Sequence, residues 1–375
     1  MQAIFSDFDS QMMERALDLA ARGRFTTSPN PKVGCVITLD GEVVGEGYHQ
    51  RAGEPHAEVY ALRDAGERAA GATAYVTLEP CSHYGRTPPC ADALIKAGVS
   101  RVVCAMVDPN PDVAGRGIER IRQAGIEVDV GLLQQTAERL NAPFIKLMTT
   151  GMPYVQLKLA STLDGRTALA NGESKWITGP DARSDVQRFR AQASAVLSTS
   201  RTVLDDDPSL NVRWEQLPEP DRQVYDKEKV RQPIRVILDR SNKVTPQAQL
   251  FSLPGEIILV NQTQSTTLTG DNVQQIQSSA SETGFDLLQL MRSLAKKGIN
   301  HIWVEAGATL AGALLEANLV DELIVYQAPK LIGEDGRPLL AMRGLTSMAD
   351  IPEFDLDDVT RIGNDIRLIL RQRKH

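Results

Sequence analysis

His56 and Glu58, then Glu79-Pro80-Cys81 one strand later and Cys90 beyond it, gather an imidazole, two thiols and spare carboxylates between positions 56 and 90. A tetrahedral zinc ion held by one imidazole and two thiolates keeps its fourth position for water. The metal draws the pKa of that water toward neutrality, so that it can serve as hydroxide. These are the residue types of a zinc hydrolase, in which Glu58 would move protons rather than bind metal.

The elements expected to carry these groups are readable from periodicity. Residues 56 to 69 (HAEVYALRDAGERA) predict an amphipathic helix with Val59, Leu62 and Ala65 toward a core, which puts His56 and Glu58 in its first turn. Residues 73 to 78 (TAYVTL) predict a buried strand, and 88 to 97 (PPCADALIKA) a second helix with Pro near its start. Cys90 then lies in a first turn, where the helix dipole favours a thiolate. Two blander readings compete. Cys81 and Cys90 could form a disulfide, but four cysteines in 375 residues and the lack of a signal-peptide pattern fit a reducing cytosol and a cytoplasmic enzyme. A closed structural zinc site would need a fourth protein ligand, and the one extra histidine in the segment is His83. Cys35 and Cys104 sit in apolar strand runs (VGCVITL, RVVCAMV) and read as small buried thiols.

Length and composition predict two α/β domains. The chain is long for one core, and 42% hydrophobic residues suffice for both. No run of about eighteen apolar residues occurs, so no membrane span is expected. A net charge of -7 and a pI near 5.4 argue against a nucleic-acid partner, which would require a concentrated basic face, and this weakens a tRNA-deaminase reading. In the first half a helix (10 to 22), strands at 33 to 39 and 42 to 48 across an Asp40-Gly41 turn, and then alternating helices and strands to 130 predict a sheet covered on both faces. The first domain is expected to span 1 to 147, with 149 to 153 (TTGMP) as linker, and the second 153 to 375. In the second, strands at 154 to 160, 194 to 199, 234 to 239, 256 to 260, 301 to 305 and 321 to 328 alternate with helices at 180 to 191, 286 to 297 and 308 to 317. The stretch from about 205 to 232 is polar and proline-containing, and is expected to be a surface excursion whose order or disorder the sequence leaves open. At 301 to 320 a strand ending at Glu305 turns through Gly307 into a helix, whose first N–H groups suit a phosphate, although the GxGxxG fingerprint is absent.

Zinc-dependent base deaminases carry HxE followed by PCxxC. Here eight residues, SHYGRTPP, separate Cys81 from Cys90. With that insertion, HAE, TLEPCSHYGRTPPC and DPNPDVAGRG resemble the deaminase half of the bifunctional riboflavin-biosynthesis deaminase/reductase family. QLKLASTLDGRTA, GESKWIT, TVLDDDPSLNVR and VEAGATLAGALL resemble its reductase half, so the likeness covers nearly the whole chain apart from about 215 to 232 and 262 to 285. The resemblance implies a cytidine-deaminase-like three-layer domain followed by a dihydrofolate-reductase-like domain.

It also implies site residues. His56, Cys81 and Cys90 would bind Zn2+ and Glu58 would relay protons, while Asn30, His49, Arg86, Asp108 and Asn110 would contact the pyrimidine and ribose phosphate. NADPH would lie along Ala160, Trp176, Thr202, Asp206, Gly307, Ala308, Thr309, Leu310, Ala311, Gly312 and Ala313. Lys158, Ser174, Arg190, Leu210, Arg213 and Glu305 would meet the sugar phosphate, with Lys158 or Asp206 assisting catalysis. Two arginines near a phosphate make electrostatic sense. On residue type alone, Asn30 and Asn110 suit Pro-flanked turns, Asp206 suits a solvated acidic run, and Trp176 suits a core. The expected reactions are deamination of a diaminopyrimidine ribose phosphate, then NADPH-dependent reduction of the ribosyl chain of the aminouracil to ribityl, in a homo-oligomer, either dimer or tetramer. The competing reading is a nucleoside or nucleobase deaminase with an unrelated nucleotide-binding C-terminal domain, or a zinc-stabilised scaffold with no activity.

Overall fold

The computed structural model describes residues 5–82, 88–111, 113–278, 280–281 and 284–373. The chain divides into two compact units, Met1–Met152 and Pro153–His375.

The first unit holds β1 (Gly34–Leu39), β2 (Glu42–Tyr48), β3 (Thr73–Val76), β4 (Arg101–Cys104) and β5 (Glu127–Val130) in one sheet of order β2-β1-β3-β4-β5. β1 runs antiparallel to β2 and β3, whereas β3, β4 and β5 are parallel. The turn joining β1 to β2 has both Asp40 and Gly41 at positive φ, the geometry that an Asp-Gly pair tolerates in a tight hairpin. Helices α1 (Asp7–Arg22), α2 (Ala57–Ala65), α3 (Cys90–Ala97), α4 (Arg116–Gln123), α5 (Gln134–Leu140) and α6 (Ala142–Thr150) complete the unit. Thr149 and Thr150, read as linker in the sequence, are the last turn of α6.

Glycines set the layers. A Cβ on Gly34 would lie 1.9 Å from the Ala16 carbonyl of α1, and Cβ atoms on Gly45 and Gly47 would lie 2.3 and 2.4 Å from the Ala61 and Ala57 carbonyls of α2. Gly47 pairs with Cys35, the strand neighbour of Gly34, so the two helices cover opposite faces of the sheet. The buried side of α2 is therefore Ala57, Glu58, Ala61 and Ala65, not the expected Val59 and Leu62, which are only partly buried. Small residues win this face because they let the helix backbone approach the glycines of β2. Gly66, at φ 56, then ends α2 four residues before the expected boundary, and a short 3-10 turn (Gly66–Ala69) follows.

In the second unit nine strands form one sheet whose order, by first residue, is Val273, Ile257, Ile234, Ala195, His301, Tyr154, Glu322, Asp365 and Phe354. The first seven are parallel, and the hairpin Phe354–Ile362 and Asp365–Gln372 is added antiparallel at one edge. That hairpin, the strand Val273–Gln277 and the helix Ser200–Asp206 lie outside the elements expected from sequence. The stretch 205 to 232, whose order the sequence left open, carries regular structure. Short helices at Trp214–Gln216, Glu219–Val224 and Lys227–Lys229 are pinned by buried Leu217 and Tyr225. The Trp214 indole donates to the Tyr225 carbonyl at 2.7 Å, and Gln232 pairs with both backbone groups of Val212. Two anchors of large buried area make this polar segment order itself.

Candidate active sites in the two units

His56 is the N-cap of α2 and Cys90 the first residue of α3, so two of the three expected ligands stand at helix starts. The third, Cys81, is tied to α3: its carbonyl accepts from Ala91 N at 3.1 Å and its sulfur from Cys90 N at 3.3 Å. His56 Nδ1 lies 3.5 Å from Cys81 Sγ and 3.3 Å from Cys90 Sγ, and the three ligand atoms fall within 4.8 Å of one another. Tetrahedral zinc with bonds of about 2.3 Å to sulfur and 2.0–2.1 Å to nitrogen requires N···S edges of about 3.5 Å, which this triad meets. All four cysteines are free thiols, so the competing disulfide is not formed. The hydrogen bond from the Cys90 thiol, reinforced by His56, pulls Cys81 well below the ordinary thiol range; Cys90, as the donor partner, is pushed up. A metal is the natural way to let both sulfurs be thiolates at once.

Glu58 is 3% exposed, and its Oε2 has no hydrogen-bond partner among the described residues. Burial raises its carboxyl to about 7, with Cys81 adding and His56 opposing. A carboxyl able to gain and lose a proton near neutrality, in the same first turn that His56 caps, is suited to proton transfer. His49 is buried beside the site: its ring meets that of His56 edge-on at 5.6 Å, its Nδ1 lies 3.1 Å from the Pro55 carbonyl, and its Nε2 lies 3.3 Å from Asn30 Nδ2. Burial lowers its pKa, so a neutral imidazole is favoured there. The Asn30 loop is in turn clamped by Asn141, which accepts from Lys32 N and donates to Lys32 O; sequence reasoning missed this residue. Asp108 and Asn110 share a tight turn in which Asp108 Oδ1 accepts from Asn110 N at 2.9 Å. Arg86, the expected phosphate contact, lies outside the described residues.

In the second unit the strongest constellation surrounds Glu305. Register places Glu305 opposite Lys158 on neighbouring parallel strands. Arg190, buried on the helix Pro180–Gln192, grips Glu305 with Nε and Nη2 at 2.9 Å each and gives Nη1 to the Asn211 carbonyl at 2.7 Å. Leu210 takes a left-handed φ of 50 just before Asn211, at the turn that brings this carbonyl round to Arg190. Trp303 donates its indole N–H to Glu305 Oε1 at 2.9 Å and stacks on Phe189, while Ser198 donates to the Glu305 carbonyl at 2.7 Å. Burial lowers the Lys158 pKa, opposed by Glu305 and aided by Arg190; burial likewise lowers Arg213, which also feels Arg190 and Glu305. Three cations thus surround one carboxylate, leaving surplus positive charge for an anionic ligand.

The remaining expected contacts are more dispersed. Ser174 and Trp176 line one open cavity of about 390 Å3 with Lys330 and Thr162. Trp176 is exposed rather than a core aromatic, with the Arg183 guanidinium 4.4 Å over its ring. The Thr202 amide donates to the Thr199 hydroxyl that caps the helix Ser200–Asp206, and exposed Asp206 ends that helix, with no hydrogen bond or ion pair to Lys158 among the described residues. Gly307 is the N-cap of the helix Ala308–Glu316 and no side chain caps it. Gly312 has its own packing reason, since a Cβ there would lie 2.4 Å from the Ala341 carbonyl. Ala160 is partly buried against the core of this unit.

Residues 6–106 match the family model described as the cytidine and deoxycytidylate deaminase zinc-binding region, and residues 153–368 match the RibD C-terminal domain. The chain is 58% identical to the riboflavin biosynthesis protein RibD of Escherichia coli, over 96% of this chain and 99% of that one. It is 38% identical to the protein of the same name from Aquifex aeolicus, over 98% and 99%. Among solved structures, Acinetobacter baumannii RibD superposes with a TM-score of 0.91 at 48% identity, covering 98% and 99% of the two chains. A Thermotoga maritima diaminohydroxyphosphoribosylaminopyrimidine deaminase/5-amino-6-(5-phosphoribosylamino)uracil reductase superposes at 0.86 with 34% identity, over 98% and 99%. These likenesses give the units their cytidine-deaminase-like and reductase folds. A deaminase with an unrelated C-terminal partner is not favoured, because both halves match together. Among the described residues no helix is long and apolar enough to cross a membrane.

Proposed function

The chain belongs to the RibD family of bifunctional riboflavin-biosynthesis enzymes, a zinc-dependent deaminase joined to an NADPH-dependent reductase, and from that premise we propose which of its residues carry each step. The first reaction is hydrolytic loss of ammonia from a diaminopyrimidinone bearing a phosphoribosylamino group; the second reduces the ribosyl chain of 5-amino-6-(5-phosphoribosylamino)uracil, a compound named for the Thermotoga relative.

His56, Cys81 and Cys90 hold the zinc, which when bound lowers the pKa of water and polarises it. Glu58 takes a proton from water at Oε2 and delivers it to the departing amino group, a transfer its raised carboxyl pKa supports. Asn30, Asp108 and Asn110 read the pyrimidine edge and ribose, His49 orients Asn30, and Arg86 meets the phosphate. In the second unit NADPH supplies hydride when bound, along the sites inferred from the resemblance. Arg190 and Arg213 draw the sugar phosphate, Glu305 fixes Arg190, and Lys158 holds the transferable proton at Nζ. The preference for Lys158 over Asp206 rests on the pairing of Lys158 with Glu305 across the sheet, whereas Asp206 is a solvent-exposed cofactor contact. We take the functional state to be a cytoplasmic homo-oligomer, dimer or tetramer, which sedimentation tests.

The observation that carries the deaminase assignment is the ligand triad at tetrahedral spacing beside a buried carboxylate whose Oε2 has no partner among the described residues. Incubation with the diaminopyrimidine ribose phosphate, zinc and NADPH, following ammonia and NADPH absorbance separately, should show absorbance loss that waits on ammonia release. NADPH consumption without ammonia would overturn the order, and no ammonia at all would overturn the assignment.

A further inference from the structure

Glu79 is a 3%-exposed carboxylate that neither reaction uses. A carboxylate only accepts hydrogen bonds, and burying one is costly unless donors converge on it. Four backbone amides do so. Oε2 accepts from Asp108 N at 3.0 Å and Gly115 N at 2.9 Å, and Oε1 accepts from Gly117 N at 2.8 Å and Ile118 N at 3.3 Å. Gly117 and Ile118 are the second and third residues of α4, whose own N-cap, Gly115, has no capping side chain. A helix start normally draws its cap from the residue just before it; α4 draws its cap from the segment that carries a zinc ligand.

The same segment reaches several other parts of the site. Glu79 N donates to the Met106 carbonyl at 3.0 Å, Pro80 O lies where a Cβ on Gly117 would be, 1.9 Å away, and Cys81 binds α3. Asp108, fixed through its amide, passes its position to Asn110 through the Asp108 Oδ1 to Asn110 N bond. We propose that Glu79 is a positioning residue of the deaminase, setting the turn that presents Asp108 and Asn110 to substrate at a fixed distance from Cys81. This rests on the reading of Asp108 and Asn110 as substrate contacts.

The test uses the full zinc-loaded chain. Glu79→Gln keeps one acceptor but turns an NH2 toward two N–H donors, so the turn shifts; a displacement of about 1 Å far from the chemistry can cost about 100-fold. The expected result is a rise of about 10- to 100-fold in deaminase KM, a much smaller fall in kcat, full zinc content, and faster amide exchange confined to the Asp108 turn and the start of α4. Glu79→Asp, which keeps both acceptors on a shorter arm, should recover part of the KM. A merely structural Glu79 would instead lower the folded, zinc-loaded fraction, and so kcat per chain, with KM unmoved; that result overturns the proposal. Asp108→Ala and Asn110→Ala run alongside: if they leave KM unchanged, the substrate-contact reading fails, whereas if they raise it and Glu79→Gln does not, only the present inference fails. Should the Glu79 variants not fold, amide exchange of the unaltered enzyme decides. The Asp108, Gly115, Gly117 and Ile118 amides must be protected like core amides, and fast exchange at these four sinks the idea.

Discussion

The two sites are built on opposite principles. In the first unit a few short segments converge: an N-cap histidine with a carboxylate buried in the turn it caps, a first-turn cysteine and a cysteine tied to it. In the second, the chemistry depends on groups far apart in the chain. Arg190 and Glu305 stand 115 residues apart, Lys158 reaches Glu305 only through strand register, and the expected cofactor contacts are scattered over a strand, a loop and two helices. A metal concentrates charge at a point, so a handful of ligands suffices. A dinucleotide spreads its contacts over a long surface, and each contributes little alone.

The sharpest way to break this comparison is Glu58→Gln. If the first site concentrates its function in few groups, removing the proton relay should cost roughly 10²–10⁴-fold in ammonia release. Zinc should stay bound, and reduction of the aminouracil should continue. Chelating the zinc should act on the same side only, and adding it back should restore ammonia release. Equal loss of both activities would mean that the sites are not separable.

The second-largest effect is expected at Arg190. Its guanidinium and the Glu305 carboxylate are both largely buried, with side-chain exposures of 7% and 17%. Arg190→Ala removes the bidentate partner of Glu305 and leaves it only Lys158, Arg213 and the Trp303 indole, and truncating one member of a buried pair costs up to about 3–5 kcal/mol. The second unit should melt earlier and lose reductase activity. Replacing the pair with Arg190→Met and Glu305→Leu together should recover stability without recovering activity, which calorimetry and the NADPH assay would separate. Stability that fails to return would mean that the pair is not held mainly by its own charge balance.

This contrast also explains how much was legible. The triad of His56, Cys81 and Cys90 was readable because its spacing is local, and the five strands of the first sheet, six of the nine in the second and most of the longer helices followed from periodicity. What failed did so for identifiable reasons. The buried face of α2 was assigned to Val59, Leu62 and Ala65, of which only Ala65 is buried, because large apolar side chains signal a core, whereas Gly45 and Gly47 select Ala57 and Ala61 beside Ala65 through backbone approach. Order in 214 to 232 depends on Leu217 and Tyr225, two buried anchors in a polar background. The hairpin at Phe354–Gln372 is half exposed, so its alternation carries many charges and no continuous apolar run. Trp303 could have been found, since it stands two residues before Glu305 and therefore on the same face of the strand. Glu79 could not, because its four donors come from a turn and a helix start whose meeting point only the fold reveals.

A smaller effect should distinguish the proton donor. Burial lowers the Lys158 pKa below the ordinary lysine value despite Glu305. If its ammonium supplies the proton, the reductase rate should fall as pH rises through that lowered value, earlier than an ordinary lysine would allow. Lys158→Met should abolish this alkaline limb and cost about 100-fold at neutral pH. The stability effect has the opposite sense. Between the folded and unfolded pKa values the unfolded chain binds more protons, so the second unit should gain stability as pH rises there. A pH profile unchanged in Lys158→Met would remove Lys158 from the reaction.

The smallest expected effect tests the dispersed character of the second site most directly. Asp206 is exposed at the end of its helix and makes no hydrogen bond or ion pair with the Glu305 group among the described residues. As one cofactor contact among many, Asp206→Asn should raise KM for NADPH only about 2- to 10-fold, the range of one hydrogen bond made partly in water. kcat should stay near its original value, and the alkaline limb assigned to Lys158 should remain. Should kcat instead collapse while KM holds, Asp206 would be the proton donor. The second site would then concentrate its chemistry in one carboxylate as the first does, and the contrast between the two units would fail at its central point.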